Sequence, residues 1–287
     1  MCFNIVVIPY RKRVFDAEEI FNDVKYYMKT NPHGFSLHAV KQNNELTYRT
    51  VIAEEFIDKI LKLKKLRLLH IHFRFATQGS ISPDNTHMFP IVINDKTYYL
   101  SHNGIVYDFV DHGKYYYYFY HYLFKENNVT KVITEESKDN RSDTRKMAED
   151  RKFHKALKDL INEKPRRFIR YLFNKGFYGV MFITSKDKII AVSKDKPIQI
   201  YLHKDLLMMA NTDLPLTKYK ILTQYIMLRK SPYHGEIEDA IIMIDYSDKV
   251  DRIKVIKFRK KPKDLLKKKD SDDHINYYTI FYKGIDF

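Results

Sequence analysis

Met1-Cys2-Phe3-Asn4-Ile5-Val6-Val7-Ile8-Pro9 opens the chain. Phe3 to Ile8 is apolar and rich in β-branched residues and ends at Pro9, so it reads as a buried strand that begins directly after Cys2. Cys2 is the single cysteine of the protein. Removal of Met1 would give it a free α-amine. A thiol and an amine on one residue form a compact catalytic device, because the amine titrates at about 7.7 to 8.0 and can take the thiol's proton. A cysteine at this position is also compatible with an ordinary small side chain, so the rest of the chain has to decide.

Its 287 residues suffice for one large domain, or one domain plus an appendage, with a sizeable core. A hydrophobic fraction of 44%, with 23 Tyr and 19 Phe, marks a globular protein. One cysteine forms no internal disulfide, and no stretch reaches the roughly 20 apolar residues of a membrane span. The opening apolar run lacks the basic lead and cleavage pattern of a signal peptide, so a cytoplasmic protein is expected. Richness in Lys, Asn, Tyr and Ile fits a viral source, hence a host cytoplasm. No zinc-ligand spacing, Walker loop or dinucleotide fingerprint occurs, and no metal or cofactor is expected.

The net charge of +15 admits a polyanion partner but also a plain solubilising surface, since the lysines are spread along the chain. Between Arg252 and Lys269 ten Lys/Arg face one acid, Asp264. This basic stretch 252–269 is either a polyanion contact or, as favoured, an exposed strand and linker.

Working outward from β-like Phe3 to Ile8, the spacing of Ile20, Val24, Tyr27 and Met28 predicts a helix capped by Asp16 and stopped at Asn31-Pro32. Phe35 to Val40 and Glu45 to Val51 form a hairpin, and Ala53 to Lys65 a second helix. Leu68 to Arg74, Phe89 to Ile93 and Lys96 to Ser101 are short strands. The aromatic run Tyr115 to Phe124 reads as helical, Glu135 to Arg141 as a charged loop, and Ser142 to Asn162 as one helix. A short helix after Pro165 ends near Gly176. Val180 to Thr184, Ile189 to Val192, Ile198 to Leu202 and Leu207 to Ala210 read as a meander. Ile221 to Leu228 suggests a helix; Ala240 to Ile244 and Ile253 to Phe258 suggest strands. Strands at both ends with helices between give an α+β protein of two packed, mainly antiparallel sheets covered by helices. Residues 2–215 form the main domain, and 216–287 a basic C-terminal extension packed on it.

Polar residues gather at strand ends. His72-Phe73-Arg74-Phe75-Ala76-Thr77-Gln78-Gly79 places a guanidinium, a hydroxyl and an amide around a glycine turn, and arginine matches a carboxylate with two prongs. In Ser101-His102-Asn103-Gly104, a side-chain amide and a backbone N–H can meet at one spot, as an oxyanion hole requires; an Asn-Gly pair also serves as a plain turn. Asn85-Thr86-His87-Met88-Phe89 and Ser142-Asp143-Thr144 complete the set, the latter being also a simple helix cap.

Taken in order, Cys2, Asn31-Pro32-His33-Gly34-Phe35, His72-x-Arg74-x-Ala76-Thr77-x-Gly79, Asn85-x-His87-x-Phe89, His102-Asn103-Gly104 and Ser142-Asp143-Thr144 resemble the class II glutamine amidotransferases, N-terminal-nucleophile (Ntn) hydrolases that draw ammonia from glutamine. The resemblance covers about residues 2–215 and is carried by the joint occurrence of the motifs. It implies a four-layer αββα sandwich. It also implies Cys2 as nucleophile with its freed amine as base, and Asn103 and Gly104 as oxyanion donors. Arg74, assisted by Thr77, would hold the α-carboxylate of L-glutamine, and Asp143 its α-ammonium. Gln78 falls among the substrate-binding positions, with His72, Asn85, His87 and His102 in support.

The chain departs from the family pattern at three places: His87-Met88-Phe89 replaces His-Pro-Phe, Gln78 stands where His is frequent, as in small phage-type relatives, and Ser36 stands where Gly is common. Family enzymes hand ammonia to a synthase module, and no such module is evident after Leu214, so a separate ammonia-accepting synthase is an expected partner. Two other readings stay open: an Ntn amidohydrolase acting on another γ-glutamyl or amide substrate without ammonia transfer, and a non-catalytic basic or virion-associated binding protein on the same fold.

Overall fold

The computed structural model describes residues 2–10, 14–42, 44–110, 139–196, 198–203, 205–212, 214, 220–221, 239–246, 250–258 and 275–280. The first sheet is built from β1 (Phe3–Pro9), β2 (Phe35–Lys41), β3 (Glu45–Thr50), β4 (Leu66–Phe73), β9 (Gln199–His203), β10 (Leu206–Ala210) and β11 (Lys220–Ile221). The second holds β5 (Phe89–Ile93), β6 (Lys96–Val106), β7 (Phe177–Thr184), β8 (Lys188–Lys194), β12 (Asp239–Tyr246), β13 (Val250–Phe258) and β14 (Ile275–Ile280). Among the described residues the strand orders are β11-β9-β10-β1-β4-β2-β3 and β14-β13-β12-β8-β7-β6-β5. The β1 strand is therefore central, paired antiparallel with β4 on one side and β10 on the other.

Alternation along these strands separates three apolar layers. Phe3, Ile5 and Val7 of β1, with Phe35 and Leu37 of β2 and Phe73 of β4, face the helices α1 (Glu18–Val24), α2 (Tyr27–Thr30) and α3 (Ala53–Leu61) through Phe21, Met28, Phe56 and Ile60. Aromatic rings interlock there, Phe3 with Phe73 at 5.4 Å and Phe56 edge-on to Phe73 at 5.6 Å. Each such buried side chain contributes roughly 1.5–3 kcal/mol. On the far side, Leu100, Met181, Ile183 and Val192 face α4 (Asp143–Glu149), α5 (Arg151–Ile161) and α6 (Arg166–Asn174). Val6, Ile8, Leu68 and Met209 meet Val180, Phe182, Ala191 and Ile242 between the sheets. This is the αββα sandwich expected from the sequence.

Several local expectations need correction. Asp16 does not cap the first helix. Its carboxylate accepts the N–H of Lys65, at 3.0 Å, in the turn after α3, and α1 begins with no side-chain cap. The helix expected over 142–162 is two helices. The backbone is extended at Asp150, whose carboxylate caps α5 by accepting from Lys152 N at 2.8 Å and also accepts the Tyr171 hydroxyl. The four strands between 177 and 210 do not form one meander: β7 and β8 belong to the second sheet, β9 and β10 to the first. Ile221 lies in a strand, and the rest of the helix proposed there is outside the described residues, as is the aromatic run 115–124. Of the basic stretch, 252–258 lies in β13, which pairs with β12, itself paired with β8; 259–269 is outside the described residues.

Candidate active site

The two sheets are pinned together by polar residues just behind Cys2. Asn4 donates to Ser101 Oγ at 2.7 Å across the interlayer. Two residues towards the same end lie Cys2 on one sheet and Asn103 on the other, each on the face that Asn4 and Ser101 occupy. Cys2 Sγ accepts the backbone N–H of Phe75 at 3.3 Å. Burial pushes the thiol up, opposed by that N–H and by the charge of Arg74.

The strand end that carries Cys2 is clamped by Asn211, a residue the sequence motifs do not flag. Its amide donates to the Cys2 carbonyl at 2.9 Å, while its oxygen accepts from Asn4 N at 2.6 Å. The clamp extends the β1–β10 ladder by one rung using a side chain.

Asn103 and Gly104 lie inside β6, not in a turn after it as the sequence suggested. Gly104 pairs with Gly179 of β7, and a Cβ on Gly104 would stand 1.8 Å from the Tyr178 carbonyl. Two glycines facing each other let the strands close where any side chain would part them. The edge strand β5 pairs with β6 only as far as Leu100, so the backbone beyond it has an open side. On that side His102 N donates to His87 Nδ1 at 3.3 Å and Val106 N donates to Asp143 Oδ2 at 2.9 Å. N–H groups two residues apart on a strand point the same way, which directs Gly104 N–H into the gap between them. Among the described residues the Asn103 side-chain amide takes no hydrogen-bond partner.

Arg74 follows β4 and is 2% exposed. Its guanidinium donates to the carbonyls of Ser80 at 2.8 Å, Gln78 at 2.7 Å and Gly79 at 3.4 Å. Burial lowers it to about 10, with Cys2 and then Asp143 pulling in the opposite direction. The loop that orients Arg74 is in turn fastened by Asn85, which donates to Ser80 Oγ and to the Asn140 carbonyl and accepts from Ser142 N. Gly79, at φ 78, passes so close to residues 140–142 that a Cβ would meet Asn140 O at 2.8 Å. Asn85 thereby ties the Arg74 loop to the start of α4, where Asp143 sits.

The rings of His72 and His87 lie against each other at a tilt of 36°, centroids 4.0 Å apart. Burial lowers His72 to about 3 and His87 well below its usual range, so both are neutral. His102 turns to the other face, bonding Tyr178 O at 3.1 Å and Thr144 Oγ at 3.3 Å. The Gln78 amide donates to Phe109 O at 3.0 Å, and Thr77 is exposed. His33, quoted in the motif at 31–35 but given no role there, accepts the Ala76 N–H at 2.9 Å. The departures have backbone reasons. Met88 has φ 71, which proline cannot adopt. Ser36 lies within regular β2 and bonds His72 O, while the tight approach falls to Gly34, where a Cβ would meet Thr86 Oγ1 at 2.4 Å.

No protein-family model and no curated protein matches the chain. Among solved structures, glutamine phosphoribosylpyrophosphate amidotransferase from B. subtilis, complexed with ADP and GMP, superimposes with a TM-score of 0.51 at 12% identity, covering 97% of this chain and 49% of that one. This chain shares the Ntn-hydrolase fold. It spans about half the length of that relative. A structure described as the allosteric regulatory enzyme of purine biosynthesis aligns over 85% of this chain and 47% of its own, at 14% identity and a TM-score of 0.47. Among the described residues no group of three or more His, Cys, Asp or Glu is placed to hold a metal ion, and no helix is long and apolar enough to cross a membrane.

Proposed function

We propose that the chain is a glutaminase of the class II amidotransferase kind, hydrolysing the side-chain amide of L-glutamine through a Cys2 thioester. The observation that carries this is the convergence, at one end of the interlayer, of a thiol, a buried cation, an open pair of neutral donors and a carboxylate from four separate segments: Cys2, Arg74, Asn103-Gly104 and Asp143.

With Met1 removed, the Cys2 amine takes the thiol proton, and sulfur attacks the amide carbon. The oxygen gains negative charge beside the Asn103 amide and Gly104 N–H. The amine passes the proton to the departing nitrogen, ammonia leaves, and water cleaves the thioester to glutamate. Arg74 and Asp143 are a cation and an anion matched to the two charges of a free amino acid's head group. A glutaminyl residue within a peptide lacks both charges and is refused. Thr77 at the loop rim assists Arg74, whereas Gln78 acts through the loop, by bonding Phe109 O, and His72, Asn85, His87 and His102 support the framework. Ammonia passes to an acceptor held by a separate synthase. Residues 216–287 act as an extension of the 2–215 domain.

The test is glutamate release from free glutamine by protein whose N-terminus is verified by mass as Cys2, beside Cys2→Ala. Release by the first alone supports the proposal. Equal release by both, or none from correctly processed protein in the presence or absence of ammonia-accepting partners, rejects it.

A further inference from the structure

His38 of β2 and His70 of β4 pair directly in the ladder, and both side chains are fully buried. A run of hydrogen bonds passes through them. His38 Nε2 meets Glu45 Oε1 of β3 at 2.7 Å, and its Nδ1 meets Thr184 Oγ1 of β7 at 2.7 Å. Thr184 Oγ1 also meets His70 Nδ1 at 2.9 Å. His70 Nε2 meets Ser101 Oγ of β6 at 2.7 Å, and Asn4 Nδ2 of β1 donates to the same oxygen at 2.7 Å. Of these groups only Glu45 reaches solvent, its side chain being 17% exposed.

Proton counting gives the run a direction. A carboxylate only accepts, so His38 Nε2 carries a proton. Burial lowers both rings, against an opposing pull of Glu45 on His38, so both are uncharged at neutral pH. His38 Nδ1 is therefore bare and accepts the Thr184 hydroxyl proton. A hydroxyl has one proton to give, so Thr184 in turn accepts from His70 Nδ1–H. That leaves His70 Nε2 bare to accept from Ser101, whose oxygen accepts from the Asn4 amide. Asn4 Oδ1 lies 3.0 Å from both His70 Nε2 and Ser101 Oγ, and in this order the Ser101 proton lies between the two acceptors. The opposite order needs a second proton on His38. It would put a proton on His70 Nε2 and draw Asn4 Oδ1 to His70, on its own sheet, instead of holding Asn4 to Ser101 across the interlayer.

The run ends just behind the reacting groups. Asn4 is two residues from Cys2 on β1, and Ser101 is two residues from Asn103 on β6, each on the same face as its neighbour. The bond between them sets how far the strand of the nucleophile stands from the strand of the donor. We propose that Glu45 is a positioning residue: its carboxylate orders the run in one direction, and that order holds β1 against β6 where Cys2 and Asn103 lie. The ordering stands on hydrogen-bond chemistry alone; its effect on turnover rests on the proposed glutaminase reaction.

Long-range proton–nitrogen NMR correlations in isotope-labelled protein read which nitrogen of each ring is protonated. At neutral pH the wild type should carry the His38 proton on Nε2 and the His70 proton on Nδ1, the form a free imidazole disfavours. Glu45→Ala removes the acceptor that fixes the order. The His70 proton should then move to Nε2, and kcat for glutamate release should fall about tenfold or more with KM little changed. Thr184→Val interrupts the run at its middle and should move the His70 proton likewise, while His38 keeps its Nε2–H. Thermal melts accompany each variant, and the wild-type assignment needs neither. A His70 proton on Nε2 in the wild type, or one unmoved in a folded variant, overturns the proposal. So does a Glu45→Ala protein that releases glutamate at the wild-type rate. A wild type that releases none rejects the proposed function, and the ring protons still decide the ordering.

Discussion

Asn103 is the residue on which the chemistry can be tested most directly, because its side chain faces the interlayer and its backbone is held in the β6–β7 ladder. Asn103→Ala should leave the fold intact and lower kcat by about 10²- to 10³-fold with little change in KM, as loss of one oxyanion donor does; steady-state glutamate release measures both. A rise in KM with kcat unchanged would place Asn103 in ground-state binding instead. Gly104→Ala should fail differently. A Cβ 1.8 Å from a backbone carbonyl cannot be relieved by a side-chain rotation, so the expected result is a large fall in melting temperature or no soluble protein, and a wild-type melt would contradict the strand packing described. At this scale the sequence marked positions by residue type, namely a lone thiol, an arginine at a strand end and an amide before a glycine, and Arg74 and Asp143 are felt electrostatically at the thiol. The sequence was silent on Asn211, which acts by substituting for backbone on a strand it is remote from in sequence.

Elements were legible in kind and less so in extent. Apolar spacing located α4 and α5 but joined them, because the cap-like Ser142-Asp143-Thr144 leads on to Leu157 and Ile161 with no proline or glycine between to mark a break. What breaks the helix is a hydrogen-bond preference that periodicity does not register: the Asp150 carboxylate serves Lys152 N and the Tyr171 hydroxyl instead of pointing to solvent. Asp150→Ala should therefore destabilise the protein by about 1–2 kcal/mol, the sum expected of a lost cap and a lost buried hydrogen bond, read as a lowered urea midpoint with an unchanged m-value. In a double-mutant cycle with Tyr171→Phe the two changes should be less than additive; strict additivity would show the bond to be immaterial. Local alternation likewise identified β7 to β10 as strands but not which sheet each joins, since buried strands of either sheet carry the same apolar pattern. β6 was cut short at Ser101 because Asn103-Gly104 looks like a turn. Its continuation depends on Gly179 lying opposite, a long-range fact.

At the scale of the whole molecule, the interior carries an unusual load of imidazole. His38, His70, His72, His87 and His102 are all buried, and burial lowers each below its ordinary range, His72 to about 3. His38, Thr184, His70, Ser101 and Asn4 form a continuous hydrogen-bonded chain between the sheets, ending at Glu45. The unfolded chain takes up protons near pH 6.5 while the folded one does not, so stability is full above that value and is lost as pH falls towards the lowered values, at about 1.4 kcal/mol per unit and per histidine. The urea midpoint should drop clearly between pH 7.5 and pH 5, a window above most carboxylate titration; a flat profile would mean that these rings protonate in place. The layered architecture was legible because three alternating apolar faces must be covered. The clamp on Cys2 has a further consequence, for the order in which the protein assembles. Asn211 is 209 positions away from Cys2 along the chain, and β10, which closes the near side of β1, precedes it by a single residue. Contacts of such sequence separation form late. β1 therefore lacks both its β10 neighbour and the Asn211 clamp until residue 211 has been made, and Cys2 stays unpositioned in the nascent chain until then.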